Sequence, residues 1–219
     1  SNPPSHYANG LLGTHMRLLR DWAFARLPPE SSPTDRALAL VRKPPGCRRD
    51  LVNAAEVEVW LEEWAQDRGL VFVVLPLWEL TLQQQIAALR GVRILVTIGG
   101  SSHTALSIFL PAWASVIVLP QCGGCRPTPD VQEECIGDSL YSRPCTAEEW
   151  GFDPLWPMPQ LKVLWYPARL EDTEERAGHL DLRVGYGRLI TLLEEASGHL
   201  DDDSPERSEL SRGGGPGVE

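Results

Sequence analysis

A short run of small residues, Gly99-Gly100-Ser101-Ser102, stands where an anion could bind. It follows an apolar run and precedes a segment long enough for a short helix. Free backbone N–H groups and the helix dipole at such a junction favour negative charge, and glycine lets a ligand approach the backbone. His103, one residue further on, could donate a hydrogen bond to a phosphate or sugar oxygen. The alternative is a tight turn without a ligand that lets a helix and a strand pack closely.

Four basic residues, Arg42, Lys43, Arg48 and Arg49, lie at or just beyond the end of another predicted strand. Arginine forks bind phosphate oxygens bidentately, so in an acidic chain this cluster indicates an anion site. A solvated loop is the alternative.

An acidic residue, Glu79, follows the end of a third predicted strand. A carboxylate there could hold a sugar hydroxyl or act as a general base. It could equally do no more than complement the dipole of the helix that follows.

The spacing of the cysteines is compatible with three chemical states. Four of the five, from Cys122 to Cys145, are spaced C-x2-C-x9-C-x9-C. That spacing allows two disulfides, free thiols or a four-cysteine zinc site. Cys47 is left over, and we expect it to be unpaired.

The elements that would position these residues alternate between strands and helices. Apolar periodicity and cap residues predict strand 36–41, helix 54–67, strand 70–75, helix 81–89, strand 92–98, crossover helix 101–110 and strand 115–119. Asn53 and Glu56 form a capping-box-like pattern before the first of these helices, and Gly69 ends it. The alternation predicts an open parallel sheet with helices on both faces, a Rossmann-like α/β fold.

The remaining segments complete the expected domain organisation. Residues 1–34 are predicted to hold a loose start, a helix over Met16–Leu27 and a linker. Residues 35–196 form the α/β domain, with an irregular cysteine-bearing insertion over 121–160, a strand at 161–167 and a helix at 184–196. Residues 197–219 are too polar to bury a core and are predicted to be a disordered acidic tail.

Composition limits the classes of function. The net charge of −10 argues against nonspecific nucleic-acid binding, which depends mainly on cations that neutralise phosphates. No apolar stretch is long enough to predict a membrane span. The chain begins at Ser1 without a charged-then-apolar signal pattern, so we expect a fragment or a trimmed domain.

The order of these features resembles the C-terminal domain of glycosyltransferase family 61, over roughly Ala37 to Pro120. The family shows a strand ending in Arg, an R-x-L-x-N-x-x-E stretch, a Gln that opens a helix, and a strand running into His-Gly-Ala. A helix ending in Phe-Leu-Pro and a strand ending in Pro follow. The matching residues here are Arg42, then Arg49, Leu51, Asn53 and Glu56, then Gln85, Gly99 to Ser101, Phe109 to Pro111, and Ser115 to Pro120.

The resemblance implies an inverting glycosyltransferase of GT-B-like architecture, of which this chain carries mainly the nucleotide-sugar half. The donor, UDP-linked by expectation, would contact Arg42, Arg49, Asn53, Gln85, Gly99, Gly100, Ser101 and Ser102. Without a D-x-D metal motif in the predicted α/β domain, Arg side chains and helix-end amides must stabilise the leaving diphosphate. Glu79 and His103 are the candidate general bases, and the expected acceptor is a glycan or glycoprotein hydroxyl. No cofactor and no metal ion are expected, and the implied compartment is the Golgi or endoplasmic reticulum lumen.

One departure from the family pattern supports a rival interpretation. Gly99 stands where the family has His, while Gly100 is kept. The rival is a degenerate member or fragment that binds a nucleotide or a partner without catalysis. A Rossmann-type cofactor domain is a third interpretation, although the chain lacks the glycine fingerprint and the ribose-binding acid of that class.

Overall fold

A computed structural model of the chain describes residues 6–27, 37–42, 50–98, 107–111, 114–119, 161–168, 170–176 and 179–201. The helices within these ranges are α1 (His6–Phe24), α2 (Ala54–Asp67), α3 (Leu82–Leu89) and α4 (Tyr186–Asp201). The strands are β1 (Ala37–Val41), β2 (Val71–Leu75), β3 (Val92–Ile98), β4 (Ser115–Leu119), β5 (Lys162–Trp165), β6 (Thr173–Arg176) and β7 (His179–Leu182). Short 3-10 helices cover Leu77–Glu79, Ser107–Phe109 and Leu170–Asp172.

Strands β1 to β5 form a single sheet in the order β2-β1-β3-β4-β5, and every neighbouring pair is parallel. The predicted parallel α/β sheet is therefore confirmed. Helix α2 and strands β3 and β4 have the bounds that the sequence predicted. The other predicted strands and α3 are shorter by one or more residues. Of the predicted crossover helix over 101–110, residues 101–106 lie outside the described ranges and Ser107–Phe109 is a 3-10 helix.

Both faces of the sheet are buried, which explains why its strands are almost continuously apolar. Alternate residues of each strand point to opposite faces. One face packs against α2 and α4, in a cluster that includes Leu38, Leu40, Leu61, Val96, Ile117, Leu189 and Leu193. The opposite face packs against α1 and α3, in a cluster that includes Ala23, Leu27, Ala39, Ile86, Leu95 and Val116. The result is a three-layer arrangement, with helices on both faces as the sequence predicted.

The end of α2 is fixed by Gly69, as the sequence predicted. Gly69 has a φ of 64°, in the left-handed region that glycine adopts without strain. Its N–H donates to the carbonyl of Gln66 at 3.1 Å, and the N–H of Leu70 donates to that of Ala65 at 2.9 Å. This pair of bonds is a Schellman motif, which turns the chain sharply from α2 toward β2.

The capping box predicted at Asn53 and Glu56 is wrong. Asn53 does occupy the N-cap position of α2, but its side chain makes no capping hydrogen bond, because its amide binds a distant backbone instead. A capping box forms at α3, where the Thr81 hydroxyl accepts from the N–H of Gln84 and the Gln84 side chain accepts from the N–H of Thr81.

Two local expectations need correction, and one pair of strands was missed. Helix α1 begins at His6 rather than Met16, so residues 6–10 are not a loose start. Helix α4 runs from Tyr186 to Asp201 and continues past the predicted boundary at 196, so residues 197–201 are helical and not part of a disordered tail. The antiparallel pair β6–β7 was not predicted at all.

Candidate functional site

The strand order creates a topological switch point between β1 and β3. The chain leaves β1 for β2 on one side and then crosses back to β3 on the other. In open α/β sheets, ligands bind outside the carboxyl ends of the strands at this position. Val41 pairs with Thr97, so Arg42 and Ile98 lie at the same edge of the sheet. Ile98 is the last described residue of β3, and Gly99 follows it in the sequence.

Arg42 is held by two carboxylates at this edge. Its Nη1 donates to Glu58 of α2, and its Nη2 lies 3.7 Å from Oδ2 of Asp50. The three side chains remain partly open to solvent, with 24% exposure for Arg42, 32% for Glu58 and 18% for Asp50. The Nε of Arg42 is buried, and it has no hydrogen-bond partner among the residues that the structure describes. A buried N–H without a partner is costly, so the described residues leave the hydrogen bonding of this guanidinium incomplete.

The segment before α2 is tied to the segment before α4. The carboxylate of Asp181, only 5% exposed, accepts from the N–H of Asp50 at 3.0 Å. The N–H of Leu182 donates to the carbonyl of Asp50, and the N–H of Val52 donates to that of Leu182. These bonds and the parallel Leu51–Leu182 bridge fix Asp50, and therefore one of the two carboxylates that hold Arg42.

The amide of Asn53 is committed to the fold. Its Nδ2 donates to the carbonyl of Val184 at 2.9 Å, and its Oδ1 accepts from the N–H of the same residue at 2.9 Å. Nδ2 also lies 3.3 Å from Oε2 of Glu56. Asn53 is only 6% exposed. These contacts satisfy the side-chain amide of Asn53 without a ligand. Contact between Asn53 and a sugar-nucleotide donor stays a prediction.

Gln85 supports the turn that carries Glu79. Its Nε2 donates to the carbonyl of Leu77 at 2.7 Å and to that of Leu80 at 3.0 Å. These bonds brace the 3-10 helix at the carboxyl end of β2. Glu79 is exposed on that helix. Because β2 neighbours β1, Glu79 and Arg42 follow adjacent strands at one edge of the sheet.

A second charged cluster lies after β5, beside the start of α4. Arg188 donates to both carboxylate oxygens of Asp172, at 2.7 and 2.5 Å, and to the carbonyl of Pro167 at 2.9 Å. Its hydrogen bond with Asp172 raises the pKa of Arg188 above the ordinary value, and partial burial acts in the opposite direction. The hydroxyl of the fully buried Tyr166 accepts from the N–H of Gly185 at 2.7 Å. This cluster fixes the first turn of α4 against the end of β5.

Of the predicted site residues, the described ranges include Arg42 and Asn53, which follow β1 in the chain, and Glu79 and Gln85, which follow the neighbouring strand β2. The other predicted site residues, Arg49, Gly99, Gly100, Ser101, Ser102 and His103, lie outside those ranges. Lys43, Arg48 and all five cysteines also lie outside those ranges. Whether the cysteines form disulfides, stay free or bind zinc therefore remains open, as in the sequence.

Sequence reasoning missed the carboxylates around Arg42. Asp50 directly follows the basic cluster, and that adjacency of opposite charges was an available signal. Glu58 lies in a helix with other acidic residues, so the sequence offers no way to single it out. The β6–β7 pair had a detectable signal: two short segments flank Ala177-Gly178, a spacing typical of a hairpin.

Among the described residues, no helix combines the length and the apolar character needed to cross a membrane. Compared with known proteins, the chain matches no protein-family model and no curated protein.

Proposed function

We propose that this chain is the nucleotide-sugar half of an inverting, metal-independent glycosyltransferase with a GT-B-like architecture. It would transfer a sugar from a UDP-linked donor to a hydroxyl of a glycan or glycoprotein in the secretory pathway. The observation that carries the proposal is the switch point, where Arg42 lies beside β3, the strand that precedes Gly99 in the sequence. Among the described residues, the buried Nε of Arg42 has no hydrogen-bond partner. Ligands of open α/β sheets bind at this place.

The proposed chemistry is a single displacement. The acceptor oxygen forms a bond to the anomeric carbon while the bond to the diphosphate oxygen breaks, and UDP leaves with the electron pair. A general base, for which Glu79 and His103 are the candidates, takes the hydroxyl proton. Arg49 and the backbone N–H groups of Gly99 to Ser102 would stabilise the charge on the diphosphate, and Arg42 belongs to the same donor site.

Titration calorimetry with UDP tests the donor site. Arg42→Ala and Arg49→Ala should each weaken UDP binding about 10-fold or more, because each removes a charged donor. Arg26→Ala is the matched control, since Arg26 is exposed in the turn after α1 and its Nη1 donates to the carbonyl of Trp22. Unchanged affinity in the first two variants would contradict the site assignment.

The alternative function is a nucleotide-binding or partner-binding module without catalysis. It is favoured by Gly99, which stands where the resembled family has His. A transfer assay with a panel of UDP-sugars separates the two functions. Turnover supports the glycosyltransferase, whereas saturable UDP binding without turnover of any donor in the presence of glycan acceptors supports the binding module.

A further inference from the structure

The charges around Arg42 fit a hydroxyl-bearing ligand better than a phosphate. Arg42 contributes one positive charge, whereas Glu58 and Asp50 each contribute one negative charge. Counted by themselves, these three groups carry a net negative charge, which disfavours the oxygens of a diphosphate directly against them. Neutral hydroxyl groups do not suffer that repulsion.

The hydrogen-bonding capacity left in the trio is also of the kind that a hydroxyl uses. Oε1 of Glu58 binds Arg42, and Oδ1 of Asp50 accepts from the N–H of Leu51 at 2.8 Å. Among the described residues, no further hydrogen bond occupies Oε2 of Glu58 or Oδ2 of Asp50. Nη2 of Arg42 lies 3.7 Å from Oδ2 of Asp50, which is beyond hydrogen-bond distance, so the partly exposed guanidinium can also donate to a ligand. A hydroxyl can donate to a carboxylate and accept from a guanidinium at the same time.

We propose that Arg42, Glu58 and Asp50 form a subsite that binds vicinal hydroxyl groups of the sugar-nucleotide donor. This assignment rests on the proposed function and refines it, because the diphosphate is then left to other residues of the donor site. A carboxylate at the carboxyl edge of a parallel sheet holds ribose hydroxyls in other nucleotide-binding α/β folds, by the same chemistry. The hydroxyls belong either to the ribose or to the transferred sugar.

The test is titration calorimetry of the full chain and of Glu58→Gln with four probes: UDP, 2′,3′-dideoxyuridine diphosphate, UDP-N-acetylglucosamine and pyrophosphate. Glu58→Gln should weaken UDP or UDP-N-acetylglucosamine about 10-fold, because it replaces a charged acceptor by a neutral one. Pyrophosphate affinity should stay unchanged or rise. Asp50→Asn should show the same pattern.

Glu62→Gln is the matched control, because Glu62 is exposed one turn further along α2 and the substitution removes the same charge. It should change every affinity less than 2-fold, as expected for an exposed charge away from the site. Thermal unfolding of each variant checks that the fold is kept.

The probes identify the source of the hydroxyls. A loss seen with UDP but absent with the dideoxy analogue assigns them to the ribose. A loss confined to UDP-N-acetylglucosamine assigns them to the transferred sugar.

Three results overturn the subsite. Tighter binding of both UDP and pyrophosphate by Glu58→Gln would mean that Arg42 binds the diphosphate. If Glu58→Gln binds every probe as tightly as the unaltered chain does, Glu58 binds no hydroxyl of the donor. The same conclusion follows if the variant loses affinity equally for UDP and for pyrophosphate. If the unaltered chain binds none of the nucleotide probes, the proposed function itself fails.

Discussion

Asn53 and Val184, 131 residues apart in the chain, are joined by two hydrogen bonds between one side-chain amide and one backbone. Asn53 directly precedes α2, and Val184 lies just before α4. The two helices that cover one face of the sheet therefore start from a common point. That point adjoins Asp50, so it also fixes a carboxylate partner of Arg42.

Removal of the Asn53 amide should destabilise the fold strongly. Asn53→Ala leaves the buried N–H and carbonyl of Val184 without partners, and we expect the free energy of unfolding to fall by about 2–4 kcal/mol. Urea denaturation measures the loss. Gln66→Ala, at an exposed amide of α2, is the control and should stay within about 0.5 kcal/mol of the unaltered chain. A small effect of Asn53→Ala would mean that water replaces the amide.

Two glycine-to-alanine substitutions should change stability in opposite directions. Gly69→Ala should destabilise by about 1 kcal/mol, because the φ of 64° strains any residue with a Cβ. Gly198→Ala, inside α4, should stabilise by about 0.5–1 kcal/mol through helix propensity. A Cβ at either position would meet no atom within 4 Å, so packing does not confuse the comparison. If thermal unfolding shows that both substitutions raise the melting temperature, or that both lower it, this account is contradicted.

The sheet could be predicted because its determinants are local. Both of its faces are covered, so β3 and β4 are apolar runs that end at their true bounds. Gly69 ends α2 through contacts within a few residues. The apolar spacing of α2, at Val57, Leu61 and Trp64, matches the face that it buries.

The surroundings of Arg42 could not be predicted because they depend on distant parts of the chain. Asn53 looks like a helix cap in the sequence, but Val184 takes its amide. Asp181, whose carboxylate accepts from the N–H of Asp50, is 131 residues away in the chain. Local patterns can place an arginine at the edge of a sheet, but only the packing of α2 and α4 determines which carboxylates meet it.

The Glu194 carboxyl should make the free energy of unfolding depend on pH in the acidic range. The hydrogen bond from Nε1 of Trp64, 3.0 Å long, and that from Arg68 lower the pKa of the Glu194 carboxyl below its usual range. A lowered pKa in the folded state means that stability is gained above the unfolded pKa and lost as the pH falls through the folded one. Glu194 is half exposed, so solvent limits the contribution to at most about 1 kcal/mol.

The measurement compares Glu194→Gln with the unaltered chain by urea denaturation at neutral pH and near pH 3. The variant should be less stable at neutral pH, and the difference should shrink at the lower pH, because protonation of Glu194 removes the charge that the unaltered chain has and the variant lacks. Glu62→Gln, at an exposed position of α2, is the control for the loss of one charge. A difference that is constant with pH would assign the effect to packing.

Gln85 offers a way to separate a ligand contact from a positioning role. Its amide braces the 3-10 helix that carries Glu79, through the carbonyls of Leu77 and Leu80. If Glu79 is the general base, Glu79→Gln should lower kcat about 100-fold or more. Gln85→Ala should then lower kcat about 10-fold with little change in the donor KM, because a misplaced base slows the chemical step.

The same kinetic assay distinguishes the outcomes. A higher KM for the UDP-sugar with unchanged kcat would mean that Gln85 contacts the donor, as the family resemblance implies. Gln83→Ala, exposed on the same helix, is the control and should leave both constants unchanged. If kcat is unchanged in both Glu79→Gln and Gln85→Ala, Glu79 is not the general base, and His103 remains as the candidate. The hydrogen bonds of Gln85 would then only stabilise the 3-10 helix at the end of β2.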